Sequence, residues 1–490
     1  MIMNRKLLVL LALVISLLSA CSGKKTLSSE LRYGFTSEPS TLDPLSPANT
    51  ADGRSILFNV FEGLVKPDTT GKMKPCIAKS LTVEQDGRIY ILTLREGVRF
   101  HDGSLLSPAD VKFSLDTAIA AGFTGLDRIE DVSILGSNQI KITLKKPDPD
   151  FLPYLTTGIV KAGNTDREKN VIGTGPFYIE KYTIQQTLVL KKFNDYWQPD
   201  MPHLEKVTIV FFANNDALMV ALKGGGINGA SITGPMAAQL DHRKMNIIQS
   251  YSAAVQLLAL NNKVPPLDNL NIRRAINYGI NIQDIIDTAF FGVGFPSGSP
   301  IIPGLSAYYE NSLEYPYDPD TARSLLPPKG FDLEITVPSN YTMHVDTAQV
   351  IANQLSKIGV IVTIKQVDWA TWLSDVYFGR NYMATIISLD SPIVSPRSFL
   401  SRYYSTNGSN FINFSNSSFD KIYDSILTET NETRRIRLYR EAQRAITENA
   451  ASVFIQDILY FKALSKSFEG VLEYPLYAVD FASIYEIQKN

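Results

Sequence analysis

Arg88-Ile-Tyr-Ile-Leu-Thr-Leu-Arg-Glu-Gly-Val-Arg-Phe-His-Asp-Gly103, continued by Ser107-Pro-Ala-Asp-Val111, carries three local signals in close succession. Arg88 to Arg95 is rich in β-formers and follows a turn at Asp86-Gly87, which predicts a buried strand. His101-Asp102-Gly103 reads as a turn. Ser107 is a cap residue, Pro108 suits the first helical position and Asp110 the third, so a helix starts here. Val111, Leu115 and Ala118 then share one helical face. The same alternation extends outward. Leu31 to Phe35 is a strand that breaks at Glu38-Pro39, and Gln139 to Leu144 is a strand stopped by Pro147 and Pro149. Thr187 to Lys191 and Lys206 to Phe212 are further strands. Ile351, Leu355 and Ile358 make a helical stripe closed by Gly359. Val360 to Val367 is a β-rich run, and Asp368 is a good N-cap for the next helix. Ile436, Tyr439, Ala442 and Ile446 mark a late amphipathic helix. Strands alternating with helices predict α/β sheets.

The chain has 490 residues, a soft prior of about three domains. Its 44% hydrophobic and 20% charged residues exclude a disordered chain. A single long apolar run, at the N-terminus, excludes a polytopic membrane protein. With 47 Lys+Arg against 49 Asp+Glu, no basic surplus exists to neutralise phosphates, so no nucleic-acid partner is expected. Two cysteines cannot build a disulfide scaffold or a cysteine-rich zinc site.

The first twenty residues read as an export signal. Asn4-Arg5-Lys6 is the basic start, Leu7 to Leu18 the apolar core, and small residues follow. The core is too short to span a bilayer comfortably, which takes about 20 residues. Leu18-Ser19-Ala20-Cys21 resembles the bacterial lipobox, in which the cysteine is acylated and becomes the new N-terminus. Cys21 is therefore the expected lipidation site, and 21–30 a small, polar tether. Removal of Arg5 and Lys6 would leave the mature chain at a net charge of −4. Cys76 would be its only thiol.

No motif for covalent or nucleotide chemistry is present. There is no Gly-x-x-x-x-Gly-Lys-[Ser/Thr] loop and no Gly-x-Ser-x-Gly elbow. His101, His203, His242 and His344 are too far apart in sequence to share a helical turn as zinc ligands. Gly224-Gly-Gly-Ile-Asn-Gly229 matches Gly-x-Gly-x-x-Gly. It follows a helical pattern rather than a strand, however, and no acid stands about 20 residues on, so it reads as a turn. Arg434-Arg-Ile-Arg437 reads as the solvated face of a helix. Trp197, Trp369 and Trp372 read as packing residues. Gly173-Thr-Gly-Pro176 reads as a tight turn whose glycines permit positive φ.

Taken in order, several stretches resemble the solute-binding lipoproteins of ABC importers in the peptide/nickel-binding family. They are Glu38-Pro-Ser-Thr-Leu-Asp-Pro44, Phe61-Glu-Gly-Leu-Val65, Pro75-Cys-Ile-Ala-Lys-Ser80 and the Leu94–Gly103 and Ser107–Val111 segments. Gly173-Thr-Gly-Pro-Phe-Tyr178, Asn194-Asp-Tyr-Trp197 and Asn271-Ile-Arg-Arg-Ala-Ile-Asn277 complete the set. The resemblance runs from about Leu31 to the C-terminus.

It implies an α/β, two-lobed periplasmic-binding-protein fold of the large class, with a hinge and an extra inserted subdomain. Lobe I would hold 31–48, 175–258 and 465–490, with 49–174 inserted, and lobe II would span 259–464. The crossovers are expected near Val255 to Leu260 and near Val453 to Phe461. The implied function is capture of short peptides between the lobes. A nickel chelate or another small ligand is the alternative on this fold, and an exported hydrolase the remote one. Asp390, after the strand-like Met383 to Leu389, matches the position that anchors a peptide α-ammonium. Here two extra residues lie in the following loop, and the family's second acid is missing. Arg397 is the candidate partner for a ligand carboxylate. No catalytic residue, metal or cofactor is implied. The implied partners are the permease and ATPase subunits, with the membrane reached through the lipid anchor. The chain is expected to be a monomer facing the periplasm or cell exterior.

Overall fold

The computed structural model describes residues 29–487 except 47, 48, 124, 251–253, 311–314, 340, 392 and 394. The export signal, Cys21 and nearly all of the tether therefore lie outside the described residues.

A seven-stranded mixed sheet organises the first lobe. Its order is Met245–Ser250, Tyr460–Ser465, Gly229–Thr233, Glu30–Phe35, Lys206–Phe211, Thr187–Lys192 and Phe177–Thr183. Glu30–Phe35 runs parallel to both neighbours, and its buried Leu31, Tyr33 and Phe35 anchor the core. The inserted unit is a four-stranded antiparallel sheet, Ala78–Glu84, Ile89–Leu94, Gln139–Leu144 and Ile129–Leu135. Helix Pro108–Ala120 packs on it. Ser107 caps this helix by exchanging hydrogen bonds with Asp110, as the sequence predicts.

A second mixed sheet forms the other lobe, in the order Phe295–Pro296, Ser452–Asp457, Ala254–Leu260, Ala384–Asp390, Phe331–Pro338 and Val360–Val367. Phe331–Pro338 is parallel to both Val360–Val367 and Ala384–Asp390. Helix Thr342–Ser356 links the first two, and Gly359 follows it with φ 92°.

The strand pairing shifts the expected boundaries. Val255 to Leu260 belongs wholly to the second sheet, so the expected crossover segment is itself a strand of that sheet, while Met245–Ser250 still belongs to the first. The second crossover is 458–459, because Tyr460–Ser465 pairs with Gly229–Thr233 and Met245–Ser250 in the first sheet. Residues 460–464 thus sit in lobe I rather than lobe II. Continuous apolar runs on both sides of the crossover hide this change of sheet from the sequence.

Gly173 and Gly175 serve a different purpose from the expected one, since neither has positive φ. A Cβ on Gly173 would meet the Val60 carbonyl oxygen at 2.0 Å, and one on Gly175 would meet the Asn59 carbonyl oxygen at 2.7 Å. These glycines allow two backbone segments to touch.

Candidate functional site

The C-terminal ends of Phe331–Pro338, Val360–Val367 and Ala384–Asp390 share one edge of the second sheet. Ala254 pairs with Asp390 and Val255 with Asp457, so both crossovers leave from that edge. The first sheet presents Phe35, Phe211, Thr233 and Ser250 at its own crossover edge. Open α/β sheets bind ligands beyond the carboxyl ends of their strands.

Asp390 ends its strand on this edge with a side chain 64% exposed. Its nearest cationic group across the lobes is the Arg54 guanidinium, at 4.0 Å. Arg54 lies on helix Ala51–Leu57 and donates to the Asn49 carbonyl at 2.8 Å. On the same lobe as Asp390, Arg402 donates through one terminal nitrogen to the Asp390 backbone carbonyl. Its other terminal nitrogen is buried and has no acceptor among the described residues. Burial lowers the Arg402 pKa, and Asp390 opposes that only in part. Arg402 lies in the single turn Ser401–Tyr403 that follows helix Pro396–Leu400, and no spacing in the sequence marks it.

Arg397 lies elsewhere. Its side chain is 1% exposed and ion-paired to Asp148 of the inserted unit. It also donates to the Asp150 backbone carbonyl at 3.3 Å. Asp148 receives Arg128 as well. Asp150 takes the Tyr439 hydroxyl and stands 2.9 Å from the Arg435 Nε. Tyr154 lies under both Arg128 and Arg397, each 5.5 Å from its ring. Burial pushes the Asp148 carboxyl up, but Arg397 and Arg128 pull harder and hold it below the ordinary carboxylate range. The carboxylate partner of Arg397 is thus supplied by the protein. Arg435, expected on a solvated face, is buried for the same reason.

Trp372 is buried and donates to the Thr385 hydroxyl at 2.9 Å. Trp369 is 39% exposed and stacks on Trp372 at 5.1 Å, directly after the strand end at Val367. Tyr341 adds a third ring 5.6 Å from Trp369. The other motif residues hold the fold. His101 is pinned between Gly173 N–H (3.2 Å) and the Gly175 carbonyl (3.0 Å). Glu62 accepts from the Tyr196 hydroxyl at 2.7 Å and from Trp197 Nε1 at 2.9 Å. Burial raises the Glu62 pKa, and these hydrogen bonds offset only part of the rise.

Residues 72–411 match the model of the middle region of bacterial extracellular solute-binding proteins, family 5. The chain belongs to this family. It is 27% identical to the glutathione-binding protein GsiB of Escherichia coli O1:K1, over 95% of this chain and 96% of that one. The solved structure of AgaA from A. tumefaciens R10, in complex with agropinic acid, superposes with a TM-score of 0.77. It is 25% identical and covers 94% of this chain and 99% of that one. A putative peptide-binding protein, AppA of Clostridium difficile, shares the fold at TM-score 0.85 and 17% identity, over 94% of this chain and all of that chain (100%). The protein is accordingly the extracytoplasmic substrate-binding component of an ABC importer, and permease and ATPase subunits are its partners.

Proposed function

We propose that the chain captures short peptides in the cleft between the two sheets and hands them to its permease. One observation carries this reading: Asp390 holds an exposed carboxylate at the strand-end edge where both crossovers leave the second sheet. A carboxylate there suits a ligand ammonium. GsiB, named for binding glutathione, is a full-length relative, and glutathione is itself a small peptide.

Asp390→Asn should weaken peptide binding about tenfold to a hundredfold, the worth of one charge-assisted hydrogen bond. Blocking the ligand's α-amine by acetylation should weaken binding to the native protein similarly, and to the variant much less. Calorimetry over this double cycle is the test. Strictly additive losses would separate Asp390 from the amine. Binding of a nickel–histidine chelate with no peptide binding at all would move the assignment to a metal chelate.

The lobes should close on the ligand, and Cys21 should hold the protein to the membrane as a lipid-anchored monomer. The signal-like run followed by Leu18-Ser19-Ala20-Cys21 supports the anchor. Cys21→Ala should abolish partition into a detergent phase, and unchanged partition would reject the anchor.

A further inference from the structure

Beside the second crossover the lobes meet in a contact that involves no charge. Gly234 opens the short helix Gly234–Ala237 at the end of the first-sheet strand Gly229–Thr233. Its φ is ordinary, but a Cβ there would lie 2.6 Å from Val293 Cγ1 and 2.7 Å from Val293 Cβ. Val293 belongs to the second lobe. It sits between helix Ile282–Ala289 and strand Phe295–Pro296, which pairs with Asp457 and Gln456. The missing side chain of Gly234 therefore lets the two lobes touch.

The turn that carries Val293 also holds an apolar ring in water. Phe291 has φ 56° and Gly292 φ 75°. Gly292 N–H donates to the Ile286 carbonyl at 3.0 Å, and Val293 N–H to the Phe290 carbonyl at 3.0 Å. Glycine or asparagine is the ordinary residue in this left-handed conformation, and a bulky side chain is strained there. Packing does not repay the strain, since Phe291 is 72% exposed. On the first-lobe side, Val220 is 73% exposed. It stands one helical turn before Lys223, whose amino group donates to Gln239 Oε1 at 3.1 Å. Gln239 in turn donates to the carbonyl of Pro235, next to Gly234, at 3.2 Å. Each lobe thus offers one exposed apolar side chain near the contact, and Val293 resting on Gly234 fixes how far apart they stand.

We propose that Phe291 and Val220 form a docking surface for the permease, complete only while the lobes are together. Strain kept at an exposed position points to a function outside the fold. An aromatic side chain held out in water is the kind that anchors an interface. The permease is the partner already assigned to this chain. A permease surface with apolar sites for both side chains grips the closed protein and rejects one whose lobes have parted. The proposal is independent of what the ligand is.

Association of the protein with its own permease–ATPase complex in lipid nanodiscs tests this without any ligand. Phe291→Asn should weaken association about tenfold to a hundredfold, the worth of burying one phenylalanine side chain. It should also raise the urea midpoint, because asparagine tolerates left-handed φ. Val220→Ser should weaken association about tenfold and leave the small-angle scattering profile unchanged. Gly234→Ala keeps both apolar side chains but pushes Val293 away, so it should weaken association too, and adding Val293→Ala should restore it. Native affinity in any of the three single variants would overturn the proposal. So would a fall in the urea midpoint of Phe291→Asn, which would make the ring part of the fold. A loss in Gly234→Ala that Val293→Ala fails to reverse, or no association by the native protein, would overturn it as well.

Discussion

Asp148 and Arg397, 249 positions apart in the chain, form a buried ion pair that joins the inserted unit to the second lobe. Asp150, two residues on, repeats the arrangement with Arg435 and Tyr439. Pro147 and Pro149 alternate with the two acids in one short turn that ends the strand Gln139–Leu144. These contacts fasten the two lobes at a place distinct from the Asp390 corner.

Removing one member of a buried pair costs about 3–5 kcal/mol when the other charge stays buried. Here opening of the lobes returns that charge to water, so the substitution acts on closure. Asp148→Asn and Arg397→Gln should each enlarge the radius of gyration of the unliganded protein in small-angle scattering. Asp148→Asn combined with Arg397→Met removes both charges and should bring the particle back toward the native size. Identical scattering from all four proteins would refute the fastening role.

The same pair sets an acid limit. Asp148 has a depressed pKa, so its contribution is fully present above the ordinary carboxylate value and is lost as pH falls through the depressed one. The unliganded protein should therefore keep its compact scattering profile at pH 5 and expand only at lower pH. Expansion already complete at pH 5 would contradict this.

Much of the fold was legible in local pattern. The strand Val360–Val367, its Asp368 cap and the Ser107–Asp110 capping pair sit where the residues place them. Each depends on neighbours a few residues away. The two-sheet architecture came from the family resemblance, and the sheet that receives Tyr460–Ser465 depends on partners more than 200 residues distant. Asp390 came from the family resemblance together with the strand-like run before it, and its side chain does end that strand exposed. The burial of Arg397 and Arg435 depends on Asp148 and Asp150 in another lobe, and no periodicity links them. Arg402 is distinguished by an unfilled donor, a property of packing rather than of sequence.

Two imidazoles give stability a second pH dependence. Burial lowers both His101 and His344 to about 4, from an ordinary 6.5. Both are neutral when folded, so between pH 6.5 and about 4 the unfolded chain binds more protons and stability falls as pH falls. Each contributes up to about 3 kcal/mol at the acid end of that window. His344 is held by Gln256 at 3.0 Å. His344→Gln should flatten the loss measured by urea unfolding at pH 7 and pH 4.5. A slope equal to that of the native protein would show that His344 is not a source of it.

Glycine is needed for different reasons at two positions. Gly97 has φ 76° with nothing near its missing Cβ, so Gly97→Ala should cost about 1–2 kcal/mol, and Gly97→Asn less. Gly173 has an ordinary φ but its Cβ would overlap the Val60 carbonyl. Gly173→Ala should cost about 1–3 kcal/mol or more, and Gly173→Asn should bring no relief, because the obstacle is backbone. Urea midpoints of the four variants separate the cases. Relief of Gly173 by asparagine would mean that conformation, not contact, is the constraint.

Trp369 offers an optical report of ligand capture. The chain has three tryptophans, and two of them, Trp197 and Trp372, are tied by their ring nitrogens to Glu62 and Thr385. Trp369 is 39% exposed, just past the carboxyl end of Val360–Val367, and is stacked on Trp372 with the rings 6° from parallel. Closure over a ligand should remove water from the outer face of Trp369 while leaving the other two indoles in place. Ligand addition should therefore shift the fluorescence emission to shorter wavelength. Trp369→Phe should abolish most of the shift, yet keep an aromatic face for stacking. Trp197→Phe should leave the shift intact, since Trp197 sits in the first lobe against Arg95. A full shift in Trp369→Phe would place the ligand away from the end of Val360–Val367 and confine capture to the Asp390 side of the sheet edge.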